Sequence, residues 1–313
     1  LYPKNLTGIP SLEKTLREAK ADTGKTDDYA HTGTASAGDT IDYQIVSTLP
    51  SITSEATYLS CYTFIDTLSA GLTYTKGDVV LEIFSDTACR NAVTTWKEVD
   101  GYFTVSYNDT QDGKTAMTVE MTTKGLAEIN KSKAVYADAS MVNSGFSDCT
   151  MRLTYTAKVD SDNSLVVGDK GNDNKVVLTW KRTSETFYDT LVDDAHVYTY
   201  GIDLTKLFSD GKGDFSKVEF LVRNKTDNYY VQAKLNQEEG VYYVTGHTPN
   251  KEDATHFVPV ENGDTKGRIL IKGLEDDTYT MTEVRTDNGY VLLKQDIEVM
   301  ISQKESTENC TIY

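Results

Sequence analysis

Basic residues are scarce in this chain. Lys and Arg number 31 against 48 Asp and Glu, and the 313 residues carry a formal net charge of −17. Nucleic-acid binding needs a basic footprint that displaces counterions from phosphates, so this balance argues against DNA or RNA as a partner. It suits a soluble, self-repelling surface. No apolar run approaches the length needed to span a bilayer. No signal peptide stands at Leu1, which leaves a cytosolic chain or a processed or trimmed product as the expectation. Histidines number 4 and cysteines 4, with no C-x-x-C pair and no histidine near a cysteine, so neither a zinc site nor any other metal or cofactor is expected. Cys61, Cys89 and Cys149 could supply one disulfide in an extracellular protein or remain buried thiols, with Cys310 as the fourth. Neither G-x-S-x-G nor H-E-x-x-H occurs. Carboxylates are too numerous for counting to exclude a glycosidase pair, but the strands described next consume nearly all residues, which disfavours an enzyme.

What is abundant is Thr and Tyr, with Tyr at 20 and Pro at only 5. Both abundant types favour half-buried pleated surfaces. Segments such as "TIDYQIVSTL", "ATYLSCYTFIDTL", "DVVLEIFS", "CTMRLTYTAKV" and "KVVLTWKR" alternate with a period near two, between Gly, Asn, Asp and Ser clusters. "KGLAEINKS" reads as one short helix. About seven strands at this spacing need two packed sheets, because one open sheet would leave an apolar face wet. Residues 9–187 therefore read as an immunoglobulin-like β-sandwich. After the polar "RTSETFYDTLVDDA", alternation resumes from "HVYTYGIDLTKL" to "YVLLKQDIEVMIS", a second all-β unit over residues 188–313. The fold class is all-β, two sandwiches in tandem, with residues 1–8 as a leading linker.

Two charged residues sit oddly in this pattern. In "TYTMTEVR" Glu283 shares a side with Tyr279 and Met281. If that side is solvent, the carboxylate is simply wet. If it is core, a carboxyl is buried, which is costly unless it is neutral or paired. The second is Lys4, a lone lysine in "LYPKN", whose plain reading is a loose polar tail.

"GRILIKGLEDDTYTMTEVRTDNGY" resembles the E-box hairpin of Cna B-type domains. "YTYGIDLTKLFSDGKGDFSKVEFLV" is similar to that family's opening strands, with the usual L-x-G-A-x-F worn down to "FSKVEF". The resemblance implies an isopeptide bond between a first-strand lysine and a last-strand asparagine, assisted by the E-box glutamate. By position the lysine and the glutamate are Lys206 and Glu283, with Asp203 at the lysine position of some other members; Asn309 is the late asparagine of this sequence, although family members usually carry theirs further on. The chemistry has its own logic. An amine is nucleophilic only when deprotonated, which burial promotes, and a buried carboxyl can shuttle protons to the leaving ammonia.

The first block, through "TIDYQIVSTLP", "YTFIDTLSAGLTY" and "LTYTAKVDSDNSLVVGDKGNDNKVVLTW", is similar to the second domain of Gram-positive backbone pilins, of Cna A type. That likeness implies a bond from Lys14, in "PSLEKTL", assisted by Asp66, in "FIDTLSAGL". The acceptor departs from the family pattern. Its L-N is Val159-Asp160 here, and Arg182 stands where an asparagine commonly ends the last strand. Asp160, Asn163 and Asn174 are the candidate acceptors, and Asp160 would release water rather than ammonia.

"YPKN" immediately before such a domain matches the pilin motif whose lysine a sortase joins to the next subunit. The resemblance thus implies an extracellular, cell-wall-linked shaft subunit with no external catalysis. Lys4 would be the intersubunit cross-link. The implied partners are identical subunits, a pilus-specific sortase, minor pilins and the host surface. A surface adhesin or tip pilin built from the same domains is the rival reading, and it would not need the Y-P-K-N lysine.

Overall fold

The computed structural model describes residues 8–23, 27–131, 145–302 and 309–311. Its strands are β1 (Glu13–Glu18), β2 (Thr32–Thr34), β3 (Thr40–Thr48), β4 (Leu59–Leu68), β5 (Leu72–Tyr74), β6 (Val80–Phe84), β7 (Ala92–Lys97), β8 (Phe103–Asp109), β9 (Thr115–Met121), β10 (Thr150–Val159), β11 (Asn172–Arg182) and β12 (Asp189–Tyr198). The second run is β13 (Tyr200–Thr205), β14 (Glu219–Asn224), β15 (Tyr229–Asn236), β16 (Val241–Thr248), β17 (Arg268–Leu274), β18 (Thr278–Arg285), β19 (Ile297–Met300) and β20 (Asn309–Thr311). The expected helix is present at Thr123–Asn130, where the Thr122 hydroxyl accepts the Gly125 amide at 3.2 Å and caps its start.

The first unit is a two-sheet sandwich. One sheet runs β1-β3-β10-β6-β7, with β5 also on β10, and the other runs β2-β12-β11-β4-β9-β8. Period-two alternation explains why these segments form strands. On β3, Ile41, Tyr43, Ile45 and Ser47 are buried while the residues between them are half-exposed. On β11 the buried set is Asn172, Asn174, Val176, Leu178 and Trp180. Tyr43, Leu153, Tyr155 and Leu81 from one sheet join Phe64, Val119, Val176 and Leu178 from the other in one apolar core.

The passage between units differs from expectation. β12, including "HVY", was expected to open the second unit. It pairs instead along β11, from Asn172 opposite Val197 to Trp180 opposite Asp189. The reason is burial: Ala195 and Val197 point into the first core. The second unit begins at β13 and forms one hydrogen-bonded path, β19-β18-β14-β15-β16-β17-β13-β20. Ile202, Leu204, Phe220, Val222, Ile269, Ile271, Tyr279 and Met281 are among its buried side chains.

The units meet through close backbone contact. The Ala37 amide donates to the Gly273 carbonyl at 2.9 Å. Gly273 has φ +98, and a side chain there would meet Ala37 Cβ at 2.5 Å, so both conformation and space require glycine. Beside this contact, Glu18 and Asp39 of the first unit and Glu275 of the second bring carboxylate oxygens within 4.8 Å of one another. Ser36 Oγ and the Tyr229 hydroxyl donate to Glu275 at 3.0 and 2.5 Å. Burial, then the neighbouring Asp39 carboxylate, pushes the Glu275 carboxyl up to about 8.

Candidate functional site

Lys14 is wholly buried. It lies on β1 opposite Ile45, and its side chain passes into the space between the two sheets of the first unit. There Nζ donates to Asp66 Oδ2 at 2.5 Å and to the Tyr155 hydroxyl at 2.5 Å. Asp66 comes from β4 of the opposite sheet, across from Val176 of β11. Asn174, two residues earlier on β11, is buried on the same face. Its Nδ2 donates to the Tyr155 hydroxyl at 2.9 Å. Lys14, Asp66 and Asn174 are thus joined through one tyrosine oxygen.

Two more tyrosines close the site. Tyr43 stacks on Tyr155 with ring centroids 5.5 Å apart, and Lys14 Nζ lies 4.9 Å from the Tyr43 centroid. Tyr74 donates to Asp66 Oδ1 at 2.5 Å. The pocket is therefore dry, aromatic and nearly balanced in charge. Burial lowers the Lys14 pKa, and the Asp66 charge opposes that shift. An amine held here gives up a proton more readily than one in water. Burial pushes the Tyr155 phenol far up, with the Asp66 charge adding to it. Asn174 Oδ1 has no hydrogen-bond partner among the described residues although it is buried. That is costly for a spectator amide and natural for a carbonyl awaiting attack.

The remaining acceptor candidates lie elsewhere. Asp160 is half-buried and accepts from Thr73 Oγ1 at 2.7 Å. Asn163 donates to Glu239 of the second unit at 3.1 Å. Neither residue shares a hydrogen bond with Lys14 or Asp66 among the described residues. Asn172, at the start of β11, holds the Val166 backbone through both amide atoms, at 3.0 and 2.9 Å. Asn174 alone among the candidates reaches the lysine cluster.

The second unit brings Lys206 and Glu283 together. Lys206 follows β13, and its Nζ is 3.0 Å from Glu283 Oε1. Glu283 lies on β18, buried in line with Tyr279 and Met281, so the core-facing arrangement holds. Its Oε2 accepts the Leu293 amide at 2.9 Å. Oε1 is within ion-pair distance of the lysine yet lacks a hydrogen bond of good geometry. Asp203 is not part of this pair and binds Arg268 instead. Asn309 sits on β20, whose backbone runs parallel to β13 with Asn309 beside Asp203. Its side chain lies outside the described residues, as do Lys4 and the rest of "YPKN". Cys61, Cys89 and Cys149 are free thiols, which removes the disulfide alternative among these three.

Comparison with known proteins follows these two units. Residues 201–313 match the family model for the SpaA prealbumin-like fold domain. Over 94% of its length the chain is 25% identical to the trypsin-resistant surface T6 protein of Streptococcus pyogenes serotype M6. This chain is similar to Gram-positive backbone pilins. It spans about half the length of the T6 relative, 46%. Its fold matches the T6 backbone pilin of serotype M6 S. pyogenes at TM-score 0.57 and 16% identity, covering 93% of this chain and 52% of that one. It also matches a 35 kDa C-terminal fragment of the major pilin GBS80 of Streptococcus agalactiae at TM-score 0.60 and 18% identity, covering 95% and 92%. Against that backbone-pilin likeness, the residues that sequence reasoning missed are Tyr155, Tyr74 and Tyr43. With 20 tyrosines spread over alternating strands, nothing local marks these three. A signal for Asn174 was present: it interrupts the apolar face that Val176, Leu178 and Trp180 define.

Proposed function

We propose that this chain is a structural shaft subunit of a covalently polymerised cell-surface pilus. Two β-sandwich domains carry the load, and intramolecular isopeptide bonds brace them. The observation that supports this reading most is the buried Lys14–Asp66–Asn174 group, tied through Tyr155. In it a neutral lysine amine would attack the Asn174 carbonyl carbon with Asp66 moving protons, releasing ammonia. The bond would join the edge strand β1 to β11 across the sandwich, so tension entering at the N-terminal side would pass through a covalent staple. Lys206 and Glu283 form the matching pair of the second unit, with Asn309 of the neighbouring strand as the proposed acceptor.

In this reading Lys4 is the nucleophile that a pilus sortase joins to the sorting signal of the next subunit. The protein then acts outside the cell, linked to the wall, and turns over no external substrate. Expression of the Lys4→Ala chain with its sortase tests this. The reading predicts loss of high-molecular-weight ladders on denaturing gels, with monomer still secreted. Unchanged ladders would contradict the shaft assignment and favour an adhesin or tip subunit.

A further inference from the structure

Tyr155 occupies a position that the three-residue account of bond formation leaves without a task. Its hydroxyl has one proton and two lone pairs, and all three are engaged with the reacting groups. The proton goes to Asp66 Oδ2 at 2.6 Å. One lone pair accepts from Lys14 Nζ at 2.5 Å, and the other accepts from Asn174 Nδ2 at 2.9 Å. Tyr155 is buried, and its ring is fixed by the stack on Tyr43. Among the described residues Asp66 makes no hydrogen bond of its own with Asn174. Its Oδ1 is held by Tyr74, and its Oδ2 faces Lys14 and Tyr155.

We propose that Tyr155 is a catalytic residue of isopeptide formation: its hydroxyl relays the proton from Asp66 to the amide nitrogen that leaves Asn174. This rests on the Lys14–Asn174 bond proposed above. The step balances as follows. Lys14 Nζ first passes one proton to Asp66 Oδ2 and becomes a neutral amine. Its lone pair then forms the bond to Asn174 Cγ, and the carbonyl π pair moves onto Oδ1. The Oδ1 pair then re-forms the carbonyl as the Cγ–Nδ2 bond breaks with its electrons going to nitrogen, while Tyr155 gives its proton to Nδ2 and takes the one held on Asp66. A second proton, from the Nζ now bonded to Cγ, passes to the freed Asp66 carboxylate. The products are one secondary amide, one ammonia, an intact Tyr155 phenol and a protonated Asp66. Ammonia can carry that last proton away as ammonium. Relay through a hydroxyl that never ionises fits a phenol whose pKa burial has driven up. Tyr74 is a positioning residue, which keeps Oδ2 of Asp66 turned toward Lys14 and Tyr155.

The test is a pulse–chase of the whole chain made by cell-free translation. Synthesis is stopped by dilution into H2O or D2O, and intact mass is followed with time. For the parent chain the account predicts a loss of about 17 Da for this bond. Tyr155→Phe keeps the ring and the Tyr43 stack, and should form the bond about 100-fold more slowly, within the usual span for general acid–base groups. Its solvent isotope effect should fall toward one, a change that mere loosening of the site would not produce. Tyr74→Phe should be slowed less and keep the parent isotope effect. Bond formation in Tyr155→Phe at the parent rate, or slowly with an unchanged isotope effect, would overturn the relay while leaving the bond itself in place. No mass loss in the parent chain would instead remove the underlying bond. Should circular dichroism show Tyr155→Phe unfolded, the parent isotope effect decides: a value near one overturns the relay, and a value above about 2 supports it, since proton transfer then limits the rate.

Discussion

Replacing Asn174 by alanine should remove the proposed staple with little other damage. The side chain donates a hydrogen bond to Tyr155, worth about 1 kcal/mol. The Lys14–Asp66 pair at 2.5 Å would remain, so no charge is orphaned. The larger effect is topological. A bond from residue 14 to residue 174 closes a loop of about 160 residues, and the chain-entropy estimate developed for disulfides gives about 5 kcal/mol for that length. Summed, the variant should lose about 6 kcal/mol. For a unit of this size, each kcal/mol moves the melting temperature by about 2–4 °C, so the fall should be about 12–24 °C. Differential scanning calorimetry measures it, with intact mass confirming that the variant retains the 17 Da, or about that, which the parent loses. Asp66→Ala makes the informative comparison. It also blocks the bond, but strands the Lys14 ammonium in a pocket with no solvent access, a further cost of about 3–5 kcal/mol. It should therefore melt below Asn174→Ala. Asn174→Ala melting within about 2 °C of the parent would refute the reasoning, since the hydrogen bond alone could account for that.

Two further predictions concern the second unit and the joint. Glu283→Ala removes the partner of Lys206 Nζ and the acceptor of the Leu293 amide, and should cost about 1–3 kcal/mol in urea unfolding of that unit beyond the loss of its proposed Lys206–Asn309 bond. The crowded carboxylates at the joint give a pH dependence with a definite sign. Glu18, Asp39 and Glu275 all have their pKa values raised by burial, with Asp22, Asp227 and Asp277 adding negative charge and His247 opposing it at Asp39. A carboxyl whose folded pKa lies above its unfolded value binds its proton more tightly when folded. Its contribution is complete below the unfolded pKa, near 4.5 for Glu275, and is lost as pH rises through about 8. Stability should fall across that window by at most about 1.4 kcal/mol per pH unit for each such group. Glu275→Gln should flatten the profile, and an unchanged slope in thermal melts would contradict the assignment.

Much of the fold was legible because strand alternation is a direct consequence of burying one face. "TIDYQIVST" and "NDNKVVLTWKR" show this residue by residue in β3 and β11. Alternation likewise placed Glu283 on the side of Tyr279 and Met281, but left open whether that side of β18 is core or solvent, which the packing decides. The passage between the units was not, because β12 carries only two fully buried side chains, Ala195 and Val197, among polar neighbours. Its membership in the first sheet is decided by pairing with β11, a long-range contact that local pattern does not encode. The candidate site divides similarly. Lys14 and Asp66 were indicated by their place in family-like segments. The choice of Asn174 over Asp160 and Asn163 needed three dimensions, since the decisive contact joins β11 to Tyr155 on the facing sheet. Tyr155 was invisible among many strand tyrosines, because its distinction lies in what its hydroxyl touches.

The central claim is that this chain cross-links itself through Lys14. Peptide mapping of the folded, reduced and digested protein by tandem mass spectrometry tests it most directly. The account predicts a branched peptide joining the Lys14 segment to the Asn174 segment, about 17 Da lighter than the sum of its parts. Recovery of both segments only as separate linear peptides, at full mass, would contradict it.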